Sequence, residues 1–165
     1  MFDLLNRLRS NGETSPDLEE LSHHVEEVRK LAIYEHETGL YAFWYLVLRG
    51  DDECNRARRY ESPLTLAIIE GEGNANAWAM QGVLTDWLRL HLRDVDITGY
   101  VGNGRFVAVM TNTDVSGAQT ILSRLRTDVG GVIAALSSLP DDGDNFETLY
   151  AAAQARLVEV RETTG

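Results

Sequence analysis

Apolar positions recur along this chain in two rhythms. From Leu18 the spacing alternates between three and four, through Leu21, Val25, Val28 and Ala32, with Glu19, Glu20, Glu26, Glu27, Arg29 and Lys30 outside the seam. That pattern predicts a short amphipathic helix of about two heptads. Ser15-Pro16-Asp17 ahead of it reads as an N-cap, a proline at the first helical position and an acid in the first turn. So short a helix is marginal alone; it either packs on a domain or pairs with a second copy. His23 and His24 fall on its solvated side. A shorter amphipathic run, Phe2, Leu4, Leu5 and Leu8, precedes it across a polar loop.

Beyond residue 34 strand-like and helical runs alternate. Leu64–Glu70 (LTLAIIE) is apolar enough for the centre of a sheet. A helix is expected from Ala75 to Leu92, with Trp78, Gly82, Thr85 and Leu88–Leu92 along its inner side. Two β-rich runs then meet at Asn103-Gly104, the second being Arg105–Met110. Asn-Gly in that setting is a strong hairpin signal, since both turn residues must tolerate positive φ. Ser116–Thr127 reads as a helix, Gly131–Leu139 as a fourth strand, and Phe146–Glu162 as a closing helix rich in alanine. The alternation predicts an α/β (α+β) sandwich: a mainly antiparallel central sheet flanked by helices, spanning 34–165, with 1–33 as an N-terminal helical or coiled-coil segment.

Composition narrows the functions available. The chain has 165 residues, 44% of them hydrophobic and 25% charged, as expected of a globular domain. A net charge of −11 argues against general nucleic-acid binding, which needs a basic face. It leaves room for an anionic ligand, because a few clustered arginines override the mean field locally. Fourteen of the fifteen basic residues are arginine, the side chain suited to bidentate contacts with phosphate and guanine edges. Cys54 is alone, so neither a disulfide framework nor a thiolate metal cage is expected. The start lacks the apolar core of a signal peptide, and no apolar run approaches bilayer-spanning length. A cytoplasmic protein with no membrane contact is expected.

Several stretches together resemble the GGDEF (diguanylate cyclase) domains. Glu35-His36-Glu37-Thr38-Gly39-Leu40 is similar to the motif that leads into that domain. Arg56-Ala57-Arg58-Arg59-Tyr60 with Ser62-Pro63-Leu64 matches the passage before its first strand. Gly102-Asn103-Gly104-Arg105-Phe106 stands where the family writes Gly-Gly-Asp/Glu-Glu-Phe, and Arg93-x-x-Asp96 has the spacing of the family's inhibitory RxxD site, where the product cyclic di-GMP binds.

The departures are as informative as the matches. Gly104 and Arg105 replace the acidic pair that the resemblance assigns to metal and substrate. Glu70-Gly71-Glu72-Gly73-Asn74 runs almost directly into a helix, so the family's guanine-recognition segment is shortened. Ala42-Phe43-Trp44 replaces a polar Asn-Arg-Arg, and this helix start is expected to pack. Arg161 fills the position of the closing-helix lysine. Glu70 alone is a poor divalent-cation site, because a hard ion wants several converging oxygens. The resemblance therefore implies a domain that is not an enzyme, with no catalytic residues, no cofactor and no catalytic metal. It implies cyclic di-GMP as ligand at Arg93 and Asp96, completed by Arg124, with Arg126 beside it, on the helix after the hairpin. A homodimer through the N-terminal helix is expected. The alternative is a ligand-free scaffold with a cyclase fold that presents its surface to a protein partner.

Overall fold

The computed structural model describes residues 16–73 and 77–164. The chain divides into two compact units, Met1–Ala32 and Ile33–Gly165. Helix α1, Pro16–Ile33, belongs to the first except for its last residue. Along it Leu18, Leu21, Val25 and Val28 are each more than half exposed, so the heptad seam forms a continuous apolar stripe. His23 and His24 are exposed, as the pattern requires. The Phe2–Leu8 run and the Ser15 cap lie outside the described residues.

Among the described residues the second unit is a five-stranded sheet with four helices. In chain order these are β1 (Tyr41–Ala42), α2 (Phe43–Tyr60), β2 (Leu64–Gly71), α3 (Ala77–His91), β3 (Ile97–Gly102), β4 (Arg105–Thr111), α4 (Val115–Val129), β5 (Val132–Leu139) and α5 (Phe146–Thr164). The sheet order is β1-β3-β4-β2-β5. β2 pairs antiparallel with β4 and β5, and β3 antiparallel with β4. Only the two-residue β1 is parallel, to β3. It adds a strand to the four expected; a two-residue pairing leaves no alternation in the sequence to detect.

Period-two alternation splits the sheet into two cores. Leu64, Leu66, Ile68, Val107, Val109, Ile133 and Ala135 face α2 and α5, meeting Leu46, Ala57, Phe146 and Leu149. Ala67, Ile69, Phe106, Ala108, Met110 and Ala134 face α3 and α4, meeting Leu84, Trp87, Leu122 and Leu125. Helices thus cover both faces. α2 approaches α5 through Gly50, where an added Cβ would stand 2.4 Å from the Phe146 ring.

Two local expectations change. On α3 the inner side is Gln81, Leu84, Thr85, Trp87 and Leu88, while Gly82 is exposed and Leu90 is 80% exposed. A helix turning every 3.6 residues cannot bury Leu88–Leu92 as a block. At the start of α2, Phe43 and Trp44 are half-exposed rather than packed inside. Phe43 lies tilted against Tyr150 and Trp44 edge-on to Tyr45.

Candidate functional site

The hairpin is built as the Asn-Gly signal requires. Asn103 and Gly104 have φ of 54° and 72°, and Gly102, with φ of 89°, sits at a register shift opposite Arg105. Tyr100, buried on β3, pins the turn by accepting from Gly104 N at 3.0 Å. Its own hydroxyl donates to Gln81 Oε1 at 3.1 Å, and Gln81 Nε2 donates to Glu37 Oε2 at 3.0 Å. A polar ladder therefore joins the turn before β1 to the hairpin tip. Gly39, with φ of 66°, makes that first turn, and Arg89 donates to the Thr38 carbonyl at 2.6 Å. In the same turn, burial opposes ionisation of Glu35, but hydrogen bonds from Glu37 N, Thr38 N and Thr38 Oγ1 win and hold its carboxyl below the usual value.

The end of the hairpin where metal chemistry would be sought is an ion cluster. Glu70 and Arg105 are cross-strand partners on β2 and β4. Arg105 Nε donates to Glu70 Oε1 at 2.6 Å, and Arg105 Nη1 to the Tyr150 hydroxyl at 3.2 Å. Arg161 of α5 donates through Nη2 to the other carboxylate oxygen, Glu70 Oε2. The Glu70 side chain is 9% exposed. Burial works against the Arg105 charge, yet the bonds to Glu70 and Tyr150 outweigh it and raise its pKa. One carboxylate held by two guanidinium groups is no donor set for a divalent cation: its oxygens are taken and the local field is positive. Among the described residues no group of three or more His, Cys, Asp or Glu side chains could hold a metal ion. The sequence placed Arg105 and Arg161 separately; their convergence on Glu70, and the part of Tyr150, needed the fold. Charge reversal at Arg105 opposite an acid one strand away was the available signal.

At the other end of β4 the structure brings Arg93 and Asp96 together. Arg93 N and Nε donate to Asp96 Oδ2 at 3.0 and 3.3 Å, and Arg93 Nη2 to Oδ1 at 3.1 Å. Asp96 Oδ1 also accepts from Thr111 N at 3.1 Å. Arg93 Nη2 is further held by the Thr111 carbonyl and by Thr113 Oγ1, the latter at 3.0 Å. The Asp96 side chain is 1% exposed and that of Arg93 52%. Two clefts meet at this corner. One, of about 230 Å³, lies toward α3 beside Arg89 and Arg93; the other, of about 470 Å³, lies toward α2 beside Arg49, Glu53 and Arg56. Both are bordered by Asp94 and Asp96. Arg124 and Arg126 are exposed on α4, and among the described residues no hydrogen bond or ion pair joins either to this corner. Arg126 instead lines a groove beside β5.

No protein-family model matches the sequence, and no curated protein matches it. Solved structures do match in fold. The coiled coil and GGDEF domain of DgcB from Caulobacter crescentus, in complex with c-di-GMP, superimposes with a TM-score of 0.79 at 16% identity, covering 97% of this chain and 95% of that one. A sensory box/GGDEF family protein from Caulobacter crescentus gives 0.70 at 21% identity, covering 80% and 99%. The diguanylate cyclase SiaD from Pseudomonas aeruginosa, in complex with its activator SiaC, gives 0.69 at 19% identity, covering 98% and 71%. The fold is that of GGDEF domains. Among the described residues no helix is long and apolar enough to cross a membrane.

Proposed function

We propose that this is a non-catalytic GGDEF-like domain that receives cyclic di-GMP rather than making it. The observation that carries the first half is Glu70 held between Arg105 and Arg161. Joining two nucleoside triphosphates needs cations to neutralise phosphate and activate a hydroxyl. Here two fixed guanidinium groups occupy the carboxylate that would anchor them. Purified protein with GTP and Mg²⁺ or Mn²⁺ should form no cyclic di-GMP above a blank; turnover that persists through purification overturns this reading.

The second half is supported by the corner at Arg93. Its Nη2 is anchored to β4, while Nη1 has no partner among the described residues. That leaves the two N–H donors of a rigidly held Nη1 for acceptors such as guanine O6, N7 or a phosphate oxygen, with little side-chain entropy to lose. The DgcB domain, of the same fold, was obtained in complex with this nucleotide. Arg124 or Arg126 would join the site from a second copy, paired through the exposed seam of α1. Light scattering tests the pairing: a chain starting at Tyr34 should lose the dimer, and a full-length monomer at high concentration rejects it.

A ligand-free scaffold is the second reading, and Asp96 favours it. A carboxylate accepts about four hydrogen bonds, and Asp96 already has four inside the protein. Guanine recognition by Asp96 would have to displace Arg93 from it. Calorimetry with cyclic di-GMP separates the readings: heat that Arg93→Ala weakens supports the receptor, and no heat with the native chain supports the scaffold. SiaD bound to SiaC is a precedent in this fold for a protein partner.

A further inference from the structure

Among the described residues β5 is an edge strand, paired on one side only, to β2. In an antiparallel pair backbone groups point alternately to the neighbour and away from it. Gly131 O accepts from Glu72 N at 2.7 Å, so odd-numbered residues face β2. Residues 132, 134, 136 and 138 then present N–H and C=O to the free edge, and the bonds found there agree. Ser138 N donates to Asp142 Oδ2 at 2.8 Å, and Ser138 O accepts from Asp142 N at 2.8 Å. Leu136 O accepts from Arg156 Nη1 at 2.7 Å. The C-terminal half of the edge is thus capped. Leu136 N and both backbone groups of Ala134 have no partner among the described residues.

A groove of about 600 Å³ runs along this uncapped half. It is touched by Val115, Leu122 and Arg126 of α4, by Arg156 of α5, and by the consecutive residues Ala134, Ala135 and Leu136. Since α4 and α5 cover opposite faces of the sheet, a space reached by both and by three successive strand residues opens along the strand's free edge. Among the described residues its lining holds two arginines and no carboxylate, in a chain of net charge −11. Arg156 is neutralised by Asp142, whereas Arg126 has no ion pair among the described residues.

We propose that the open half of the β5 edge, between Arg126 and Arg156, is a docking site for an extended acidic peptide segment of a partner protein. The segment adds a strand by bonding to Ala134 N, Ala134 O and Leu136 N. An aspartate or glutamate two residues along reaches Arg126, and apolar side chains rest on Val115 and Leu122. The Asp142–Arg156 cap sets where the added strand must end. Such capping is also how sheets limit indiscriminate edge pairing.

The probe is a fluorescein-labelled hexapeptide of sequence Val-Ser-Asp-Ser-Val-Ser, whose valines and aspartate share one face of a strand, with a counterpart carrying lysine in place of aspartate and a backbone N-methylated version. The aspartate peptide should raise anisotropy and shift the amide resonances of Ala134 and Leu136. Arg126→Glu should weaken it about tenfold or more, and Arg126→Lys much less. Ala134→Pro removes an outward-facing donor that edge strands spare and should abolish binding. Should that variant fail to fold, loss of binding on N-methylation tests the same bonds from the peptide side. No binding up to about 1 mM, equal binding of the lysine peptide, or shifts confined to residues away from β5 overturns the proposal. So does self-association of the chain that Ala134→Pro abolishes without any peptide binding, which would assign the edge to a second copy.

Discussion

Glu70 and Arg105 face each other across β2 and β4, with Arg105 Nε 2.6 Å from Glu70 Oε1. Cross-strand ion pairs on a solvated sheet contribute little, but this carboxylate is 9% exposed and has a second guanidinium on its other oxygen. Removing Glu70 leaves two positive groups side by side. Glu70→Ala should therefore cost more than Arg105→Ala, which leaves Arg161 in place; the single losses should fall at about 1–3 kcal/mol. A double-mutant cycle by urea unfolding should show coupling above about 0.5 kcal/mol. Strict additivity would make the two residues mere neighbours.

Arg93 and Asp96 should separate in their effects. Asp96 is a buried acceptor for Thr111 N and for Arg93, so Asp96→Ala should lose about 1–3 kcal/mol of stability whether or not a ligand is present. Arg93→Ala removes an exposed group, although one that also donates to Thr111 O. It should cost less stability while weakening cyclic di-GMP about tenfold to a hundredfold. Arg105→Ala, at the far end of β4, should leave that affinity unchanged. An Asp96 variant of native stability would refute its assigned place in the fold.

The layered fold, the Asn103-Gly104 turn and the Arg93–Asp96 corner were legible because each rests on local pattern: alternation, positive-φ residues, or a spacing of three. β1 was not legible, since two residues carry no period. The Glu70–Arg105–Arg161 cluster was not legible either, because its members are separated by 35 and 56 positions and meet only when β2, β4 and α5 come together. Leu88–Leu92 is not one buried block on α3, because Leu88 is buried and Leu90 is turned out by the 3.6-residue period. Half-exposed Phe43 and Trp44 show the opposite limit: apolar identity alone does not decide burial.

Cys54 sits in the core between α2 and the sheet, 1% exposed, and burial, aided by the Asp51 charge, pushes its thiol up to about 12. Only the thiolate is a good nucleophile, so iodoacetamide at pH 8 should leave the folded chain unlabelled and modify it once urea unfolds it. The linkage has a definite sign. A thiol whose pKa is raised on folding contributes stability that is complete below the unfolded value, about 8.5, and is lost as pH rises toward 12. Cys54→Ser should flatten that alkaline decline. Rapid labelling of the folded protein would contradict the burial.

Asp142 gives the complementary acid-side test. Its carboxylate is held chiefly by the two guanidinium bonds from Arg156, and also by Ser138 N, against the opposing effect of burial, so its pKa lies below the usual carboxylate value. A depressed pKa means that the folded state binds the proton less readily than the unfolded one. The contribution is therefore full above the unfolded pKa, about 3.9, and disappears as pH falls through the lower folded value. Arg156 is nearly half exposed, so solvent screening keeps the effect modest. Urea midpoints of the native chain and of Asp142→Asn should differ by the same amount at neutral pH and at pH about 5, then converge below pH about 4. A gap that widens on acidification would mean that the pair does not stabilise the fold, and that the cap on β5 rests on the Leu136–Arg156 bond and the backbone bond from Asp142 N to Ser138 O.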